Sequence, residues 1–327
     1  MKMKSWRFHE FGHIKNLKME ETELPEPAEE EALVKVAYAG LNPADIFLVM
    51  GRYPHTGTLP YSVGRGGSGV VVKPGNSGRF REGDNVALLR SEVGITRDGM
   101  LAEYAAIPEA VLAPVPEWWS MEDAAAGPLV LLTNWQALKI ASDMKSGENV
   151  VITAASGGIG TSALLLVKAL GGKAIVLSRS EEKQTKLMEM GADVAFDTQD
   201  TDIVKKIKRA GGADIVLENI CGEFLAKSTA MSNMFGRINI IGGLGGIKSE
   251  INVMQVLFKR LQIHGIQVGE STDEELKAQW HDIVETLQPG KIKVPIDRIF
   301  PFDQVQEAFE HMRQGPMGKV VVGPIAN

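Results

Sequence analysis

The run Val150-Val151-Ile152-Thr153-Ala154-Ala155-Ser156-Gly157-Gly158-Ile159-Gly160-Thr161-Ser162 joins a buried strand to a glycine turn and a helix start. That order seats a dinucleotide pyrophosphate on backbone N–H groups at a helix N-terminus. Gly157 permits a tight turn where a Cβ would obstruct, Gly158 leaves room for phosphate, and Gly160 lets the helix close on the strand. The spacing is Ala154-x-x-Gly157-x-x-Gly160, with Ala where the common fingerprint opens on Gly, so the flanks must carry part of the signal. They do: strand formers precede the turn, and Ala163, Leu164, Val167, Ala169 and Leu170 follow at helical spacing. Ala155, Ser156, Gly157, Gly158, Ile159 and Gly160 are the expected cofactor contacts in this turn.

Downstream, apolar strand-like runs recur at residues 174–177, 194–196, 215–217, 238–241 and 263–268, and all but one interval carries a helical pattern. The alternation predicts a doubly wound parallel sheet covered on both faces. The end of the second strand selects the dinucleotide, because an acidic residue there would bind the ribose 2′-OH of NAD and a basic one the 2′-phosphate of NADP. This chain has Ser178-Arg179-Ser180 and then Lys183, which points to NADPH. The alternative is local: Arg179 is a solvated loop charge and Ser180 caps the helix from Glu181.

The 327 residues suffice for two domains with separate cores. A formal net charge of -6, without any Lys/Arg-rich cluster, gives no footprint for nucleic acid. No uncharged apolar run is long enough to span a membrane, and the first residues lead into polar sequence, not a signal-peptide core. The expectation is a soluble, cytoplasmic protein. Its single cysteine, Cys221, excludes an intrachain disulfide framework and reads as a small residue at a strand end.

Residues 1 to about 120 differ in pattern, with short alternating segments at 32–38 and 69–73 between turns such as Leu24-Pro25-Glu26-Pro27 and Lys73-Pro74-Gly75-Asn76. This part is mostly β. Residues 122–141 read as helical apart from a break at Gly127-Pro128. After residue 268 come an amphipathic helix at 273–287, a Pro289-Gly290 turn, a strand at 296–300, a helix at 305–312 and a final strand at 319–322, expected to return to the first domain. The division is therefore 1–122, 123–268 and 269–327.

The whole-chain pattern resembles the medium-chain dehydrogenase/reductase superfamily, in its zinc-free quinone oxidoreductase and enoyl reductase branch. Gly40-Leu41-Asn42-Pro43-Ala44-Asp45 is similar to the branch's N-P-x-D motif, and Gly64-Arg65-Gly66-Gly67-Ser68-Gly69 to its substrate-side glycine motif. Phe80-Arg81-Glu82-Gly83-Asp84-Asn85-Val86, Ala102-Glu103-Tyr104, the glycine turn and Gly318-Lys319-Val320-Val321 follow in the family's order. The resemblance implies an α/β architecture in which a GroES-like, mostly β catalytic domain accompanies the Rossmann NADPH-binding domain.

Catalytic zinc needs three protein ligands from Cys, His or carboxylate, and a structural site in such enzymes needs four thiolates. In zinc-dependent relatives a Cys stands in the place of Asn42, and a G-H-E motif where this chain has Gly64-Arg65-Gly66. His9, His13, His55, His264, His281 and His311 show no metal-ligand spacing and read as surface or packing residues. No metal is expected. Without a Lewis acid, alcohol oxidation loses its usual means of stabilising the alkoxide. Hydride transfer to a carbon already activated by conjugation does not need one. A quinone, enone or enoyl thioester is the expected small-molecule substrate. A metal-free alcohol or aldehyde oxidoreductase and a non-enzymatic NADPH-binding protein are the alternatives.

Four residues are the catalytic candidates. Asn42 can donate to a carbonyl oxygen and Asp45 can orient a neighbour, although Asn-Pro-x-Asp also makes a good turn and N-cap. Tyr53 can give a proton to the product enolate, or serve as packing. Arg65 can form a buried salt bridge or bind an anionic substrate group. By resemblance Thr133 lies near the nicotinamide ribose, Gly242 and Gly243 offer backbone contacts to the nicotinamide amide, and Lys319 approaches the cofactor phosphates. Asn219 follows a strand at the carboxyl edge where cofactors bind. The apolar end of the sheet, residues 236–268, predicts a homodimer, since an exposed edge strand invites pairing with a second chain.

Overall fold

Glycine turns and β-branched runs leave the chain few choices beyond pairing its strands, and among the described residues it does so in three sheets, the smallest formed by Lys2–Phe8, Lys18–Glu23 and Tyr61–Ser62. The computed structural model describes residues 1–54, 56–90 and 92–325, with Glu270 through its backbone alone, so the reading of His55 lies outside the described residues. Two compact units form, one from residues 1–129, 269–284 and 293–327, the other from 130–268 and 285–292.

The first unit is mostly β. Its longest strand, Glu31–Gly40, pairs antiparallel with Gly67–Lys73, Tyr104–Pro108 and Lys319–Val322. Asn85–Leu88 and Leu112–Pro114 extend the sheet on one side, and Ile296–Phe300 beyond Lys319–Val322 on the other. Thus the last strand of the chain lies inside a sheet begun near its start. The helix Met121–Ala126 also belongs to this unit, because Ser68 donates to the Met121 carbonyl at 2.6 Å and a Cβ on Gly40 would stand 2.1 Å from the Ala125 carbonyl oxygen. That packing moves the boundary from the expected residue 122 to Leu129. Composition does not encode it.

The second unit carries six parallel strands in the order Val194–Phe196, Lys173–Leu177, Asn149–Ile152, Ala213–Glu218, Ser232–Ile240, Gln262–Gly265. Strand order reverses at Asn149–Ile152, the switch point beside which such sheets bind ligands. Its core includes Val151, Ile175, Leu177, Ile203, Val216, Phe224 and Ile238, all under a tenth exposed. Each contributes roughly 1.5–3 kcal/mol by leaving water. The helix break at Gly127-Pro128 is present: Met121–Ala126 ends there, Pro128–Trp135 begins, and Gln136–Ala141 continues as a π-helix whose Ala137 carbonyl accepts from Asn239. The last strand is shorter than residues 263–268, since its ladder stops where Gly265 faces Ile240, the end of its neighbour. Among the described residues, no helix is long and apolar enough to cross a membrane.

Candidate functional site

In the second unit the strand Asn149–Ile152 ends in the glycine turn, and the helix Gly158–Ala169 starts from Gly157 as its N-cap with no side-chain cap. The first-turn N–H groups of an α-helix have no partner within it, so this start presents free donors and the positive end of the helix dipole. Gly160 behaves as expected: a Cβ there would come within 2.4 Å of the Ala155 Cα. Gly157 does not. Its φ of -79° suits any residue, and a Cβ would meet only the Ala154 carbonyl oxygen at an ordinary contact distance of 3.8 Å, so the turn does not require glycine there. The strained residue is Ala154, whose φ of 50° lies in the left-handed region. Ala155 is also corrected, because its side chain is fully buried and its N–H donates to the Leu177 carbonyl, leaving it nothing to offer a cofactor. Ser156, Gly157, Gly158 and Ile159 are partly exposed.

After the second strand, Ser180 caps the helix Glu181–Glu189 by accepting from the Lys183 N–H, and Ser178 is buried. Arg179 is exposed with no ion pair or hydrogen bond among the described residues. Asn219 spends its carboxamide on the Thr153 carbonyl at 2.9 Å, and its N–H on the Thr153 hydroxyl at 2.7 Å. The Gly242 N–H donates to the Glu218 carbonyl at 3.3 Å, whereas Gly243 is exposed. Thr133 is buried in the helix Pro128–Trp135.

Two residues of this region escaped the sequence reading. Asn134 donates to the Ile159 carbonyl and to Ser162, both at 2.9 Å, and so ties a neighbouring helix to the turn. Glu218, fully buried, accepts from Thr153, from the Ile220 and Cys221 N–H groups and from Ser228, which fixes the loop after its strand. A carboxylate closing an apolar strand was the available signal for Glu218. Asn134 offered none.

In the first unit Asn42 is the N-cap residue of the helix Pro43–Val49, and its N–H donates to the Asp45 carboxylate at 2.8 Å. The Asn42 Nδ2 donates to the Gly40 carbonyl at 3.0 Å, while its Oδ1 accepts from the Lys319 Nζ at 2.7 Å. Lys319 also donates to the Leu41 carbonyl at 2.6 Å and is 4% exposed. It is therefore not the phosphate ligand expected of it; its strand's place inside the sheet commits the ammonium to Leu41 and Asn42. Burial pulls the Lys319 pKa down to about 8, against the opposing charge of Asp45. Burial likewise pushes the Asp45 carboxyl up, with the charges of Arg65 and Lys319 and the Asn42 N–H holding it down in part. Gly66 lies beside the same carboxamide: a Cβ on it would sit 3.7 Å from the Asn42 Nδ2. The guanidinium of Arg65 lies over the Tyr53 ring, 5.2 Å from its centroid. The fold thus brings Asn42, Asp45, Tyr53, Arg65 and Lys319 together from four separate stretches of chain.

Among the described histidines, His9 and His311 pair with Glu20 and Asp297, and no group of three or more His, Cys, Asp or Glu side chains is arranged to hold a metal ion.

Residues 158–322 match the family model described as zinc-binding dehydrogenase, and residues 28–117 the alcohol dehydrogenase GroES-like domain. The quinone oxidoreductase of Homo sapiens is 29% identical, over 98% of this chain and 97% of its own. Among solved structures, a putative alcohol dehydrogenase from Sinorhizobium meliloti superposes with a TM-score of 0.89 at 29% identity, covering 98% of each chain. The Escherichia coli quinone oxidoreductase complexed with NADPH gives a TM-score of 0.88 at 24% identity, over 98% of this chain and 99% of that one, a likeness of fold.

Proposed function

Because the chain belongs to the medium-chain dehydrogenase/reductase superfamily, in its quinone oxidoreductase branch, we propose that it is an NADPH-dependent, zinc-independent oxidoreductase acting on a quinone or an α,β-unsaturated carbonyl compound. The observation that carries this reading is the uncapped helix start at Gly157, where a Cβ would meet nothing closer than the Ala154 carbonyl oxygen at 3.8 Å. The residues present fit a dinucleotide: the N–H groups around Gly158 would hold its pyrophosphate, and Arg179, exposed and unpaired, its 2′-phosphate. When bound, that cofactor supplies the hydride.

The chain's own groups do the rest. Asn42 keeps one Nδ2 proton beyond the bond to Gly40, and this donor polarises the substrate carbonyl oxygen. Lys319 on Oδ1 and Gly40 on Nδ2 hold the carboxamide in that orientation. Tyr53 is the proton donor to the reduced substrate. Zinc independence is supported by the residues at the metal positions of zinc-dependent relatives, where an amide and a guanidinium replace thiolate and imidazole.

We also propose a homodimer through the open edge of the parallel sheet. Gln262–Gly265 is its outermost strand, and Met234, Phe235, Leu257, Phe258 and Ile263 stand exposed nearby in sequence.

The test is a panel of quinones, enones, enoyl thioesters and alcohols followed by nicotinamide absorbance, with and without chelator. Conjugated acceptors should be reduced with NADPH and chelation should change nothing. Turnover confined to alcohols, or lost on chelation, overturns the proposal.

A further inference from the structure

The first backbone bond of the helix Gly158–Ala169 runs from the Thr161 N–H to the Gly157 carbonyl at 2.9 Å, so the N–H groups of Gly158, Ile159 and Gly160 come before it. These three would grip a pyrophosphate. Each belongs to a planar peptide whose carbonyl is that of the preceding residue, so a bond that fixes the oxygen also aims the N–H. Side chains hold all three carbonyls. The Thr161 Oγ1 donates to the Gly157 carbonyl at 3.0 Å, the Ser162 Oγ to that of Gly158 at 2.7 Å, and the Asn134 Nδ2 to that of Ile159 at 2.9 Å. Two of these donors sit on the helix itself, whereas Asn134 reaches in from Pro128–Trp135. Its second Nδ2 proton goes to the Ser162 Oγ at 2.9 Å, so Asn134 holds one peptide directly and a second through that hydroxyl.

Gly158 and Gly160 bring the turn no side chain that could brace it. Asn134 is fully buried, and its Oδ1 has no partner among the described residues. An orphaned buried oxygen is a cost that a residue kept for packing alone avoids by being apolar. The Ile159 carbonyl can only accept, which fixes Nδ2 on its side.

We infer that Asn134 is a positioning residue for the cofactor, aiming the Ile159 and Gly160 N–H donors at the pyrophosphate without touching it. The inference rests on the dinucleotide reading above and adds the residue that preorganises its phosphate grip.

The test is calorimetric titration of the full chain with NADPH and with adenosine 2′-phosphate, which keeps the group proposed for Arg179 and lacks the pyrophosphate. Asn134→Ala should weaken NADPH about tenfold and leave adenosine 2′-phosphate unchanged. Ser162→Ala, which removes one hydroxyl, should weaken NADPH by a smaller factor, again with adenosine 2′-phosphate unchanged. The double variant should lose less than the two factors multiplied, because both side chains act on the same peptides. Equal weakening of both ligands would mark a general disturbance of the fold and overturns the inference. Should Asn134→Ala fail to fold, Ser162→Ala decides alone, and unchanged NADPH affinity in it overturns the inference. Absence of NADPH binding in the unaltered protein overturns the dinucleotide reading itself, whereas binding that survives both variants overturns only the role of Asn134.

Discussion

The glycine turn of the second unit and the charged group of the first serve one proposed activity but are built in opposite ways. The turn is local: its donors are backbone N–H groups of consecutive residues, and its Gly160 lets the helix close on the Ala155 backbone. The charged group is assembled from residues as far apart as Asn42 and Lys319, and it works through side chains whose charges are costly to bury. A local device tolerates change by degrees. A buried charge group fails as a unit, because removing one member strands another.

The largest expected effect follows from that contrast. Asp45→Ala leaves Lys319 buried without its counter-charge and should cost about 3–5 kcal/mol in denaturant unfolding, with the Asp45→Ala/Lys319→Met pair costing less than the two changes summed. Additive losses would show that the two residues are not one unit.

Next in size is the turn. Gly160→Ala must displace Ala155 backbone and should destabilise by about 1–3 kcal/mol. Gly157→Ala should leave stability within about 0.5 kcal/mol while weakening cofactor binding, since its Cβ enters space that the fold does not use. If Gly157→Ala unfolds the protein and leaves affinity intact, the distinction between the two glycines is wrong.

Arg179→Ala should weaken NADPH by about 1.5–3 kcal/mol and leave NADH nearly unchanged, because the lost contact is a charge-assisted bond to a group only NADPH has. Fluorescence titration with both cofactors decides it, and equal affinities in the unaltered protein would remove its premise.

A smaller signature lies in pH. Lys319 titrates near 8 in the folded chain and at its ordinary, higher value when unfolded, so the folded state loses this proton first. Its contribution to stability is therefore complete above the unfolded value and is lost as pH falls through about 8. The unfolding free energy should rise with pH above 8, and Lys319→Met should flatten that rise. An unchanged slope in the variant would place the titration elsewhere.

The smallest effect belongs to Ala154. Replacing it with glycine relieves a left-handed φ but gives the unfolded chain more freedom, so the net change should stay within about 1 kcal/mol. A gain well beyond that would mean that the turn is more strained than its dihedral implies.

The sequence by itself determined the elements, their alternation and the glycine turn, because each depends on residues within a few positions of one another. Val194–Phe196, Asp273–Leu287 and Lys319–Val322 fall where hydrophobic spacing puts them. The motifs singled out Asn42, Asp45 and Arg65 in the sequence, but not the charge balance among them. Only the tertiary structure decided that Lys319 serves Asn42 and the Leu41 carbonyl, that Met121–Ala126 packs with the first unit, and that the charges of Arg65 and Lys319 both act on Asp45. These depend on which strand lies beside Glu31–Gly40 and how deeply a charge is buried there, and neither is a property of neighbouring residues in the chain.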